Sequence, residues 1–206
     1  MFTSRLGRRT VLGYADSGIN FDRIYLNRPK GYNAFGTFVE YLLLKLPAAK
    51  ATRNRQKLLK DIIGQEIREN ISKSKKTKII DLASGPARYL LELVDERNKE
   101  WVEILCLDVD RNSLRFGKNL AMSKPARFAK ANVFRMEHYK KLGSKLNWQP
   151  NLILASGLYY YYQDDIVEDS FYQAYKYISN KGLFIFDNLI GNPNKKLLSK
   201  VGKTKS

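Results

Sequence analysis

Between residues 78 and 93 the sequence reads KIIDLASGPARYLLEL, an apolar run reaching Asp81, a small-residue turn Ala83-Ser84-Gly85, and a helix-type stretch with Pro86 expected at its first position. Gly85 permits close backbone approach to a ligand, and the free N–H groups of a helix start form a seat for a carboxylate or phosphate. A dinucleotide-binding turn would carry G-x-G-x-x-G, which is absent here. A carboxylate at this strand end repels a pyrophosphate but pairs with an ammonium group. S-adenosylmethionine, which carries both an α-ammonium and a carboxylate, therefore suits the turn better than NAD or FAD.

The next apolar run, EILCLDVD, brings Asp108 to its carboxyl end, where an acid accepts hydrogen bonds from ribose hydroxyls; Asp110, two residues on, is the reserve for that role. After a third run comes Ala131-Asn132-Val133, and the Asn132 amide offers a donor and an acceptor to an adenine edge. Ser156, in Ala155-Ser156-Gly157-Leu158, falls under the methionine part of such a ligand. Methyl transfer from a sulfonium needs alignment more than a covalent residue, so no catalytic residue is assigned. His138, Tyr159 and Asp187 are candidate bases by position only. Tyr159 also stands, with Tyr160 to Tyr162, where a substrate mouth would lie, and Arg28 in the turn NRPKG is a candidate clamp for an anionic group. The single cysteine, Cys106, sits in an apolar run and excludes both an intramolecular disulfide and a cysteine-cluster metal site, and no metal is expected.

These residues require strands to present them. Five short apolar runs recur from residue 78 onward: 78–83, 103–109, 126–131, 151–156 and 182–187. Continuous rather than alternating apolarity, with amphipathic stretches between the runs, indicates a parallel sheet covered on both faces. The fold class expected is α/β, a Rossmann-like doubly wound and mostly parallel sheet. In residues 164–178, Asp164 and Asp165 favour a helix start, while Ile166, Phe171, Ala174 and Ile178 supply an inward stripe.

Before residue 78 there is no comparable strand. Val39, Leu42, Leu43 and Leu46, and then Leu58, Ile62, Ile63 and Ile67, repeat at helical spacing. The preferred reading is a helical cap that packs these residues inward, the other being that the first helix lies on a membrane surface. The expected organisation is a cap region at 1–77, a cofactor-binding core at 78–192 and a basic, disordered tail at 193–206.

The net charge of +17 is uneven: residues 1–80 hold 17 basic and 6 acidic side chains, residues 81–190 hold 15 and 14, and residues 191–206 hold 5 and none. Attraction to a polyanion would act through the flanks, so nucleic acid is conceivable as a partner but not favoured. Phe38 to Ala49 is the longest apolar stretch and is too short and too charged to span a bilayer. The N-terminus MFTSRLGRRT lacks an apolar signal region, and a cytoplasmic location is expected.

With these residues in place, DLASGPARY resembles motif I of class I S-adenosylmethionine-dependent methyltransferases, and ILCLDVDRNSL resembles their acidic second motif. More narrowly, residues 13–192 are similar to a bacterial methyltransferase family also found fused to α/β-hydrolases. The similarity includes Gly13-Tyr14, Ser17-Gly18, Asp22, Tyr25, Asn27-Arg28-Pro29-Lys30-Gly31, Arg55-Gln56-Lys57 and Ser156-Gly157-Leu158-Tyr159. The resemblance implies S-adenosyl-L-methionine as cofactor, held by Asp81, Ala83, Ser84, Gly85, Ala87, Asp108, Val109, Asn132 and Ser156. It also implies a small-molecule or lipid-like acceptor, with Arg28 and Tyr159 toward the substrate. Ala83 and Ala87 stand where the class pattern has glycine, which restricts the backbone. The last two strands of the class find no counterpart after GLFIFD, so the sheet edge is expected to need a partner or oligomer. Two alternatives remain: a truncated, non-catalytic cofactor-binding remnant, and an RNA-binding methyltransferase using the basic N-terminal region.

Overall fold

The computed structural model describes residues 3–10, 12, 17–135 and 149–188. The chain divides into two compact units, one ending at Leu59 and one beginning at Lys60.

The second unit is built on a five-stranded sheet. Strands β1 (Thr77–Leu82), β2 (Val102–Asp108), β3 (Ala126–Lys130), β4 (Leu152–Ala155) and β5 (Leu183–Phe186) are all parallel, in the order β3-β2-β1-β4-β5. Each lies within a residue or two of an apolar run in the sequence, most plainly the central β1, β2 and β4, because a strand buried on both faces has no polar side to alternate with. β4 is buried at every position and β1 at all but Lys78. The architecture is the doubly wound Rossmann-like sheet.

Strand alternation sends Ile80, Leu82, Leu105, Leu107, Ile153 and Ala155 to one face, where Tyr159 and Ala174 complete the core. Three helices flank the loops and strands that follow: α4 (Pro47–Ser72), α5 (Arg88–Leu91) and α6 (Arg111–Ala121). Ala174 comes from α7 (Asp164–Tyr177), whose first turn carries Asp164 and Asp165. Ile166 on the same helix is 38% exposed and lies outside the packed stripe. Gly117 of α6 is a required glycine: a Cβ there would lie 2.3 Å from the Phe128 ring and 2.9 Å from the Pro86 carbonyl oxygen. Among the described residues β5 pairs only with β4, and its Leu183 and Phe186 are exposed.

The first unit is helical, with α1 (Arg5–Arg9), α2 (Gly18–Leu26), α3 (Ala34–Lys45) and the first turns of α4. α3 is rotated from the expected facing by roughly a third of a turn. It buries Gly36, Glu40 and Leu44, and leaves Leu42 exposed while Val39 and Leu43 are only half-buried. The reason is polar: the Glu40 carboxylate accepts from the Ser4 hydroxyl and the Leu6 N–H, both at 3.0 Å, which ties α1 to this face. Gly36 allows that approach, since a Cβ would stand 1.9 Å from the Thr3 carbonyl oxygen. In α4, Ile63 and Ile67 are buried as the periodicity implies, whereas Leu58 is exposed. No helix among the described residues is long and apolar enough to cross a membrane.

Candidate functional site

A parallel sheet whose strand order reverses opens a crevice at the carboxyl ends of the strands beside the reversal, here β1 and β4. The loops that leave these strands carry most of the residues singled out in the sequence.

The loop after β1 has an unusual backbone. Ala83 (φ 58°), Gly85 (φ 54°) and Ala87 (φ 55°) are all left-handed, at the three places where the class pattern has glycine. An alanine in this region costs roughly 1 kcal/mol in Cβ crowding, so surrounding contacts must hold the shape. The Ser84 N–H donates to the Leu107 carbonyl (2.9 Å), the Gly85 N–H to Asp108 Oδ2 (2.7 Å), and the Ala87 N–H to the Ser84 carbonyl (3.0 Å). This corrects one expectation. Pro86 lies in the turn rather than at the first helical position, because the left-handed Ala87 delays the helix to Arg88, and α5 is only four residues long. The N–H groups of Ser84, Gly85 and Ala87, which precede the helix, are bonded within the protein. Lys124 holds the end of α5, donating from Nζ to the carbonyls of Leu91 and Val94.

Asp81 is one residue inside β1 and only 1% exposed. Its register partners are Cys106 on β2 and Leu154 on β4, so apolar neighbours flank it on both sides. The Tyr89 hydroxyl donates to its Oδ2 at 2.7 Å. Burial pushes the Asp81 carboxyl up to about 8; the Tyr89 hydrogen bond opposes this, and Asp108 and Asp187 add to it. The carboxyl is thus mostly neutral at pH 7 and ready to ionise beside a cation. Burial, with Asp81 second, also raises the Cys106 thiol well above its ordinary value, which makes it an inert packing group.

Asp108 closes β2. Its Oδ2 accepts from Gly85 N–H and its Oδ1 from Asp110 N–H (2.8 Å). Burial raises its pKa, while those N–H donors pull it back. The Val109 N–H is a third backbone donor to it, and a carboxylate offers about four acceptor sites, so about one remains for a hydroxyl donor. Asp110 instead caps α6, accepting from Asn112 N–H (2.9 Å) and the Ser113 hydroxyl (2.7 Å). Between them Val109 is 60% exposed, an apolar side chain at the rim of the crevice.

The remaining positions divide. Asn132 follows β3 and its Oδ1 accepts from Phe134 N–H (3.0 Å), shaping the turn. Ser156 follows β4, and its buried hydroxyl oxygen has no hydrogen-bond partner among the described residues. Beside it, Gly157 is left-handed (φ 72°) and donates its N–H to Asp187 Oδ1 (2.9 Å) at the end of β5. Tyr159 turns into the core: it is 2% exposed, its hydroxyl lies 2.9 Å from the Ser170 hydroxyl, and it packs edge-on against Phe171. Tyr161 and Tyr162 remain exposed, and Tyr162 stacks on Phe134 with ring centroids 4.3 Å apart, linking the loops after β3 and β4. Arg28 is exposed in the first unit, one residue after the left-handed Asn27 that ends α2. His138 lies outside the described residues. Sequence reasoning assigned no role to Tyr89 or Lys124, although Tyr89 stands eight residues after Asp81 within the segment that carries the loop.

A family model described as "Putative methyltransferase" matches residues 3–204. The chain belongs to that family. It is 28% identical over 192 residues to the uncharacterized protein YnbC of Escherichia coli (strain K12), covering 90% of this chain and 32% of that protein. The chain thus spans about a third of the length of that relative. Two solved structures share this fold at low identity. One is described as a possible exported protein from Bordetella parapertussis (TM-score 0.62, 17% identity, 86% of this chain and 55% of that one). The other is the DszA carbon methyltransferase (TM-score 0.54, 10% identity, 87% and 50%).

Proposed function

We propose that this chain is an S-adenosylmethionine-dependent methyltransferase acting on a small-molecule or lipid-like acceptor. The observation that carries the reading is the coupling of the two motif loops: Gly85 N–H bonds Asp108 at the carboxyl ends of adjacent strands, with the partnerless Ser156 hydroxyl after β4. That set matches the chemistry of the cofactor. Asp81 would take the α-ammonium, Asp108 a ribose hydroxyl through its remaining acceptor capacity, and Ser156 the methionine part. Val109 would pack on the adenine ring and Asn132 would meet its edge, with Ala83, Ser84, Gly85 and Ala87 shaping the floor.

When bound, S-adenosylmethionine supplies a methyl group on a sulfonium, open to in-line displacement. The protein's share is alignment and a dry, charge-matched cleft. Asp187, fixed by Gly157 N–H at the end of β5, is the positional candidate for a base. Residues 78–192 form the cofactor-binding core in this reading, and residues 1–77 a helical region of separate role. A reducing compartment such as the cytoplasm suits a chain whose one cysteine is buried and free.

The test is calorimetry and thermal melting with S-adenosylhomocysteine and with NAD. A ligand that binds only the folded chain raises its melting temperature, so S-adenosylhomocysteine is expected to shift the melt and NAD is not. A shift with NAD alone would overturn the proposal. A specific observation favours a second reading, the non-catalytic remnant: Tyr89 already occupies Asp81 and, among the described residues, the outer edge of β5 is uncovered. A remnant that still binds cofactor would shift with S-adenosylhomocysteine yet transfer no methyl group, and one that has lost the site would shift with neither ligand.

A further inference from the structure

The facing of α3 leaves an apolar stripe with no partner among the described residues. Phe35 is 63% exposed, Phe38 59%, Leu42 49% and Tyr41 47%. At 3.6 residues per turn these four and Lys45 fall within an arc of about 120°, directly opposite Gly36, Glu40 and Leu44. Three large apolar side chains standing clear of the surface along one helical face mark an interaction surface rather than scattered exposure.

The charge around the stripe says what it meets. Residues 1–59 contain eleven lysines and arginines and three acids. Of the acids, Asp22 is 3% exposed and Glu40 2% exposed, and Asp16 lies outside the described residues. Among the described residues of this unit, every charge that reaches the surface is therefore positive. Lys30, Lys45 and Lys50 are exposed at or near the two ends of α3, and Lys45 Nζ sits 5.2 Å from the centroid of the Tyr41 ring. A lysine laid along an aromatic ring keeps its stem in apolar surroundings and its head at a polar boundary.

We propose that α3 is an interfacial anchor, seating Phe35, Phe38 and Leu42 in the headgroup and acyl boundary of an anionic lipid bilayer while the lysines at its ends meet lipid phosphates. An apolar face about 120° wide flanked by cations is the pattern of helices that lie in this boundary. Anionic headgroups supply the complementary charge. A second copy of the chain would bring the same positive surface against itself and be repelled. Nucleic acid would satisfy the lysines, but it has no use for an exposed leucine at the centre of the stripe. The anchor stands independently of methyl transfer and is tested without cofactor.

The experiment is vesicle flotation of the full chain, with phosphatidylcholine alone or mixed with phosphatidylserine, at low and high salt. The expected result is co-flotation with the phosphatidylserine vesicles, weakened by salt, and little with phosphatidylcholine alone. The variant Phe35→Ser/Phe38→Ser/Leu42→Ser should bind those vesicles at least about tenfold more weakly at low salt. Its circular dichroism and melting temperature should match the parent, because the three side chains are exposed. Three results overturn the proposal. One is no flotation of the parent at low salt. Another is equal flotation of parent and variant, which would place the attraction in charge alone and point to nucleic acid or another polyanion. The last is a parent dimer in solution that the variant abolishes, which would make the stripe a contact between copies.

Discussion

Replacing Asp81 by asparagine should stabilise the ligand-free protein while weakening its hold on the cofactor. The carboxyl is 1% exposed between Cys106 and Leu154, and burial lifts its pKa from the ordinary 3.8 to about 8. Every tenfold change in acidity corresponds to about 1.4 kcal/mol between the protonation states. For an acid whose folded pKa is raised, its contribution is fully present below the unfolded value and is lost as pH climbs to the folded one. The parent should thus lose several kcal/mol from this group between about pH 4 and pH 8, and most of that by pH 7. Asp81→Asn removes the ionisation and keeps an acceptor for the Tyr89 hydroxyl; an unpaired amide N–H would offset roughly 1 kcal/mol. Urea denaturation at about pH 5 and pH 8 should show the gap between variant and parent widening by about 3–4 kcal/mol in the variant's favour. The ligand response should move the opposite way. Without a counter-charge for the α-ammonium, S-adenosylhomocysteine affinity should fall about tenfold or more. For the parent, binding should strengthen toward pH 8 with release of a proton, since Asp81 must ionise. A stability gap that ignores pH, or an affinity that the substitution leaves intact, would refute the reasoning.

Four further outcomes follow from the same geometry. Asp108→Ala should abolish the S-adenosylhomocysteine melting shift and also cost about 1–2 kcal/mol, because the Gly85 and Asp110 N–H groups lose their acceptor; a full ligand shift in this variant removes the ribose assignment. Ala83→Gly should relieve a φ of 58° and leave stability unchanged or raised by up to about 1 kcal/mol, as read by urea melts, and a loss would contradict the left-handed backbone. Ser156→Ala removes a buried hydroxyl that has no partner among the described residues, so the ligand-free melt should hold or rise while calorimetry shows weaker S-adenosylhomocysteine binding. Gly117→Ala should cost about 1–3 kcal/mol by pressing on Phe128 and the Pro86 carbonyl, and an unchanged melt would mean that α6 can move aside.

All five strands were legible in the sequence, the central β1, β2 and β4 most plainly, because parallel strands covered on both faces cannot alternate and so appear as nearly unbroken apolar runs. The candidate site was legible as a set of strand ends carrying Asp81, Gly85, Asp108, Asn132 and Ser156. Their working arrangement was less so. Residue type cannot say that Tyr89 folds back onto Asp81, or that Asp108 braces the Gly85 turn while Asp110 caps the next helix; helix capping claims Asp110 only once α6 begins at Arg111.

Periodicity likewise shows which residues share a helical face, but not which face the rest of the molecule covers. α3 turns its Phe35, Phe38 and Leu42 stripe outward because Glu40, Ser4 and the Leu6 N–H satisfy one another on the opposite side, an arrangement between residues 34 and 36 positions apart. What the sequence determined alone is local: the apolar runs, the small-residue turn and the acids that follow them. Tertiary structure decided burial and partnership, which depend on contacts across the chain. Those contacts set the neutrality of Asp81, the left-handed strain at Ala83 and Ala87, and the outward face of α3.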